Sequence, residues 1–142
     1  MLQRSHLQMN NSHQILVVDD DVEDHLILDT FFREAGLDTV VGYRENGQQA
    51  LYYLEEINED ARLPRLIVLD LNMPILNGTQ TLLHLKQKSR FKHIPVIIFS
   101  TSQNETERRK CLSLGAVDYM VKPLTQNECR EIIKRFSTFV KR

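Results

Sequence analysis

Residues 65–78 read RLIVLDLNMPILNG. The first part, Leu66-Ile67-Val68-Leu69, is a short apolar run with no polar alternation, the pattern of a strand covered on both faces, as in parallel sheets. It stops at one acid, Asp70. Turn formers follow it: Asn72, Pro74, then Asn77-Gly78. A carboxylate at the carboxyl end of a central parallel strand faces the crevice where open α/β sheets bind ligands. Many strands end in an acid without any function, so a role for Asp70 depends on what else converges on it.

On either side of this stretch, apolar runs alternate with helical patterns. Ile15-Leu16-Val17-Val18 reads as a buried strand ending in Asp19-Asp20-Asp21. A helix is expected over residues 22–35, with Leu26, Phe31 and Phe32 in the core and Gly36 as its stop. Residues 39–43, rich in β-branched side chains (Thr39, Val40, Val41), are expected to form the second strand. Asn46-Gly47 turns into a helix with Ala50, Leu54 and Ile57 on one face. A polar segment, residues 58–62, leads through Pro64 to the strand that ends at Asp70. A third helix follows over 78–88, with Leu82 and Leu85 inward. Pro95 opens the fourth strand, Val96-Ile97-Ile98-Phe99, which ends in Ser100-Thr101-Ser102. The helix over 104–114 offers little beyond Cys111, Leu112 and Leu114 and should be the least firmly held. Gly115 stops it. The fifth strand, 117–121, ends at Lys122-Pro123. The last helix carries Cys129, Ile132, Ile133, Phe136 and Phe139 on one stripe. Five strand–helix units predict a parallel sheet with helices on both faces, in the flavodoxin-like (βα)5 order 2-1-3-4-5.

Composition supports one such domain over residues 14–142, preceded by a polar tail at 1–13 that is expected to be flexible. The 142 residues include 42% apolar and 26% charged side chains, and the net charge of −1 does not favour nucleic acid or an anionic membrane. No run approaches the ~18 apolar residues of a membrane span. Cys111 and Cys129 are expected to be reduced thiols, and a cytoplasmic location follows from these features. His25, His84 and His93 are too scattered for a metal cluster and are expected at the surface.

In the 2-1-3-4-5 order, strands 1, 3, 4 and 5 are neighbours. Their ends present Asp19-Asp20, Asp70, Ser100 and Lys122 to one crevice. Crowded carboxylates repel one another and raise each other's pKa unless a cation neutralises them. Mg²⁺ suits such a site, because it keeps several waters and needs few protein carboxylates. Ser100 can donate to a phosphoryl oxygen and Lys122 can place a charge on another. The set is therefore suited to bringing a phosphoryl group onto a carboxylate nucleophile. Asp21 reads as a residue of the helix start, stabilised by the dipole, rather than a ligand.

VVDD at 17–20, LDLNMPILNG at 69–78, FSTS at 99–102 and DYMVKP at 118–123 resemble the receiver domain of two-component response regulators. The likeness covers nearly all of the chain after Gln14. It includes the spacings, with Ser100 30 residues after Asp70 and Lys122 a further 22 on. The resemblance implies that Asp70 is the phosphoacceptor. It implies that Asp19 and Asp20 hold Mg²⁺ with Asp70 and the backbone carbonyl of Asn72. Ser100 and Tyr119 match the switch residues, and Tyr119 is expected to follow the Ser100 hydroxyl inward on phosphorylation. Lys122 matches the family lysine, and Lys122-Pro123 the family's cis-peptide site. Asn72 and Ser102 match positions on the path of attacking water. Thr101 stands where a small residue is usual, and Ser100 where Thr is commoner.

The spacing from the acidic pair to Asp70 is several residues longer than in compact, chemotaxis-type single-domain regulators, with the excess placed at 57–64. This resembles small regulators paired with bacterial phytochrome kinases. It implies a sensor histidine kinase as phosphodonor and an unidentified downstream protein, reached through the helix 4–strand 5–helix 5 face or by homodimerisation there. No output domain follows in this sequence, so a stand-alone regulator is expected, catalysing only its own phosphorylation and dephosphorylation. Three other readings fit less well. A phosphatase of the haloacid-dehalogenase type would need an acid where Asn72 stands, and a flavin phosphate would be repelled by three acids after strand 1. A docking module independent of phosphate would not need the complete set.

Overall fold

The computed structural model describes residues 13–141. Five strands, β1 (Ile15–Val18), β2 (Val41–Arg44), β3 (Leu66–Leu69), β4 (Val96–Ser100) and β5 (Asp118–Val121), form one sheet. All its pairings are parallel, and its order is β2-β1-β3-β4-β5. The helices are α1 (Val22–Glu34), α2 (Gly47–Glu55), α3 (Gly78–Gln87), α4 (Glu105–Ser113) and α5 (Gln126–Ser137), with 3₁₀ turns at Asp38–Val40 and Asp60–Arg62. This is the flavodoxin-like arrangement expected from the sequence. The strand order reverses beside β1 and β3, which places the crevice at their carboxyl ends.

The three central strands β1, β3 and β4 are buried along their whole length. Alternate residues feed two cores, as the pleat requires. Leu16, Val18, Ile67, Leu69 and Ile98 pack with Leu54, Leu82 and Leu85 on the α2/α3 side. Ile15, Val17, Val68 and Phe99 pack with Leu28, Phe32, Ile132 and Phe136 on the α1/α5 side. α5 buries Cys129, Ile132, Ile133 and Phe136, whereas α4 buries Cys111 alone.

Local signals set the helix starts. Asp21 caps α1, accepting from the backbone N–H groups of Glu23 and Asp24. Capping boxes open α3 (Asn77 with Gln80) and α5 (Thr125 with Glu128), satisfying N–H groups that a helix start otherwise leaves unpaired. Gly78 is required for a second reason. A Cβ there would lie 2.2 Å from the Asp70 carbonyl oxygen, so only glycine lets α3 begin against the end of β3.

Several expectations need correction. Leu26 is 64% exposed; the phase of α1 turns Leu28 and Phe32, one turn apart, onto the sheet instead. Asp38–Val40 forms a 3₁₀ turn, so β2 starts at Val41 rather than at residue 39. Ile57 and Phe139 lie past the ends of α2 and α5 but still pack on the cores. There is no cis peptide among the described residues, so Lys122–Pro123 is trans, the isomer an X–Pro bond still prefers by about 0.5–1 kcal/mol. Of the tail expected at 1–13, residues 1–12 lie outside the described residues. His13 belongs to the fold, its backbone N–H donating to the Tyr53 hydroxyl at 3.3 Å.

Candidate functional site at the strand ends

Each polar side chain of the crevice is held by the element that ends there. The Asp70 N–H still pairs with the Val18 carbonyl at 2.9 Å, so the residue keeps strand geometry, and its Oδ1 accepts from Leu71 N–H at 2.9 Å. Asp19, 1% exposed, donates its N–H to Arg44 O at 3.0 Å and accepts from Asp21 N–H at 2.9 Å. Asp20 is exposed. Carboxylate oxygens of Asp19, Asp20 and Asp70 all lie within 4.8 Å of one another.

Lys122 enters from the end of β5, tied by its own N–H to Ser100 O at 2.8 Å. Its Nζ sits 2.8 Å from Asp19 Oδ2, 2.6 Å from Asp24 Oδ2 and 3.6 Å from Asp70 Oδ1. Ser100 is fully buried, with its Oγ accepting from Ser102 N–H at 3.1 Å. Tyr119 is buried, its hydroxyl 2.9 Å from Ser102 O and 3.0 Å from Glu107 Oε1. The inward position expected only after phosphorylation is therefore already occupied. Asn72 is exposed beside Asp70. Past it, Ile75 has a left-handed backbone (φ 69), closing a γ-turn in which Leu76 N–H donates to Pro74 O at 2.7 Å.

Two residues of this site went unread in the sequence. Asp24, in the first turn of α1, is a second carboxylate on Lys122. His25, expected at the surface, is half-buried. Its Nε2 donates to the Asp19 carbonyl at 2.6 Å and its ring lies 5.0 Å from that of Tyr43, so it braces the loop after β1. A cue for Asp24 was present: with Asp21 as the cap, position 24 falls on the first turn, facing the strand ends.

The electrostatics are those of an acidic cluster that Lys122 offsets only in part. Burial, and then the charge of Asp19, push the Asp70 carboxyl from the usual 3.8 up to about 6, against the opposing pull of Lys122. Burial also raises Asp19, despite its bond to Lys122. Burial works to lower the Lys122 ammonium, but hydrogen bonds to Asp19 and Asp24 outweigh it and hold its pKa above the usual lysine range. Three oxygen donors so close together, with one carboxyl left partly protonatable, fit a hard divalent cation well.

The family model of the response regulator receiver domain matches residues 15–134, and the chain belongs to that family. Among solved structures it is similar to RPA3017, a response regulator in red light signalling of R. palustris, at 32% identity and TM-score 0.78. The superposition covers 90% of this chain and 93% of that one. The phosphorylated cyanobacterial phytochrome response regulator RcpA is 29% identical, with TM-score 0.77 over 89% of this chain and 93% of that one. The Mn²⁺-bound form of response regulator Rcp1 is 27% identical, with TM-score 0.74 over 88% and 91%. The probable methanogenesis regulatory protein FilR2 of Methanothrix harundinacea is 26% identical over 94% of this chain and 86% of its own length. A protein-glutamate methylesterase/protein-glutamine glutaminase of Trichodesmium erythraeum is 35% identical over 85% of this chain, which spans only 33% of that relative.

Proposed function

We propose that this chain accepts a phosphoryl group on Asp70 from a phosphohistidine of a sensor histidine kinase and passes the signal on by a change in its protein-contact surface. The observation that carries the reading is the placement of Asp70: one acid at the end of the central strand, between two further acids and a lysine that bonds to one of them. In the transfer, an Asp70 carboxylate oxygen attacks phosphorus, the P–N bond breaks, and its electron pair returns to the imidazole. The product is an acyl phosphate. Mg²⁺, when bound, would supply positive charge to the transferring oxygens. Asp19, Asp20, Asp70 and the backbone carbonyl of Asn72 would hold it. Lys122 would supply the fixed positive charge from the protein, and the Ser100 hydroxyl would turn from the Ser102 N–H to donate to the phosphoryl group.

Tyr119 rests inward, so phosphorylation would stabilise that position in a pre-existing equilibrium rather than create it. Phosphorylation would then act on α4, which buries one side chain, and on its neighbours β5 and α5. That face is the proposed contact for a downstream protein or a second copy. A phytochrome-type kinase as donor is favoured by the likeness to RcpA, a phytochrome response regulator, and to RPA3017, a response regulator in red light signalling. No helix among the described residues is long and apolar enough to cross a membrane, and we place the chain in the cytoplasm, where such a kinase presents its phosphohistidine. Turnover would be limited to its own phosphorylation and dephosphorylation.

The test is intact mass after incubation with acetyl phosphate, with and without Mg²⁺, beside Asp70→Asn. A Mg²⁺-dependent gain of one phosphoryl group that the variant lacks supports the reading. An unmodified wild-type protein that is folded would refute it and leave a phosphate-independent docking module.

A further inference from the structure

Asp24 makes the shortest of the three carboxylate contacts to the lysine. Lys122 Nζ lies 2.6 Å from Asp24 and 2.8 Å from Asp19, but 3.6 Å from Asp70. An ammonium has three protons, and two of them are committed to these carboxylates. The start of α1 fixes the backbone from which this carboxylate reaches the lysine, the Asp24 N–H donating to the capping carboxylate of Asp21 at 3.4 Å. It stands outside the trio of carboxylates gathered within 4.8 Å, at the rim of the site, where 27% of its side chain is exposed against 1% for Asp19.

We propose that Asp24 is a positioning residue that holds Lys122 off the phosphoryl site and so sets how readily Asp70 is phosphorylated. The inference rests on the receiver chemistry proposed above. An incoming phosphoryl group needs the ammonium and must compete with Asp24 for it. It also meets the charge of Asp24 itself, and both effects oppose its binding. For a cation between Asp19, Asp20 and Asp70 the sign reverses, because Asp24 adds to the attraction. Removing this carboxylate therefore pulls two affinities apart, tightening the phosphoryl group and loosening Mg²⁺. A residue that only braced the start of α1 would, on removal, weaken both.

Wild type, Asp24→Ala and Asp24→Asn are compared in two measurements: Mg²⁺ binding by calorimetry without any phosphoryl donor, and beryllofluoride binding at saturating Mg²⁺. Asn keeps the shape and the helix start should Ala disturb folding. Both variants should bind Mg²⁺ several-fold more weakly and beryllofluoride more tightly, by up to about tenfold, the scale of removing one charge a few ångströms away in a half-screened site. Initial rates with acetyl phosphate should rise with the beryllofluoride affinity. Beryllofluoride binding that is unchanged or weaker in a folded variant overturns the inference and leaves the receiver reading standing. A wild-type protein that binds neither ligand overturns the receiver reading and the inference with it.

Discussion

Leu66–Leu69 and Asp70 are consecutive along one strand, yet they act on stability in opposite directions. The four apolar residues are each no more than 1% exposed. Burying a side chain of this kind stabilises by about 1.5–3 kcal/mol. Asp70 is nearly as buried, at 7%, and its carboxyl is held up at about 6. Keeping it ionised at neutral pH costs about 3 kcal/mol, taking its ordinary value as the unfolded reference. The apolar run makes the strand so over-determined that the chain can hold mutually repelling acids at its end. A site that is strained without its ligands is therefore supported by a core that has no role in the chemistry.

The comparison can be broken most severely from the core side. Phe136, fully buried, stacked on Phe32 and edge-on to Phe99, should cost about 3–5 kcal/mol when replaced by Ala, read by denaturant unfolding. The opposite sign is expected one layer up. Asp70→Asn should stabilise the protein by up to about 3 kcal/mol at pH 7.5 without divalent cations. The folded state binds the Asp70 proton more tightly than the unfolded chain does. The protonated carboxyl thus contributes stability below about pH 4, and this is lost as the pH rises through about 6. The advantage of Asn over Asp should accordingly shrink toward zero at pH 4, as urea titrations at both pH values would show. Mg²⁺ at about 100 times its dissociation constant should return roughly 2.7 kcal/mol to wild type at pH 7.5 and far less to Asp70→Asn. Thermal shifts with and without the ion read this directly.

The smallest effect sharpens the comparison at α4. Tyr119→Phe removes the hydroxyl that joins Ser102 to Glu107 and should cost only about 1 kcal/mol globally. With Cys111 as its single buried residue, α4 depends on that hydroxyl more than α5 depends on any polar contact. Amide exchange over Glu105–Ser113 should therefore quicken while exchange in α5 stays unchanged.

The layers of the fold were legible because the central strands are unbroken apolar runs, and such runs have few alternatives in a parallel sheet. Asp70, Asp19, Asp20, Ser100 and Lys122 were legible because each ends a strand and the strand order brings those ends together. Helix phase was less secure: α1 carries apolar residues on more than one face, so Leu26 could be taken for core although Leu28 faces the sheet. Asp24 and His25 are not legible as site residues because their contacts span loop and helix, with Lys122 lying 98 residues from Asp24 along the chain. Tyr119 is legible as an aromatic on the fifth strand, but its resting place is not. That depends on Glu107, which only the packing of α4 against β5 brings within reach.

The central claim is that Asp70, among four neighbouring acids, is the one that carries the phosphoryl group. Borohydride reduces an acyl phosphate to the alcohol, so protein treated with acetyl phosphate and Mg²⁺, reduced and digested, marks the acceptor as homoserine. The account predicts homoserine at position 70 and nowhere else. Homoserine at position 19, 20 or 24, or at none, would contradict it.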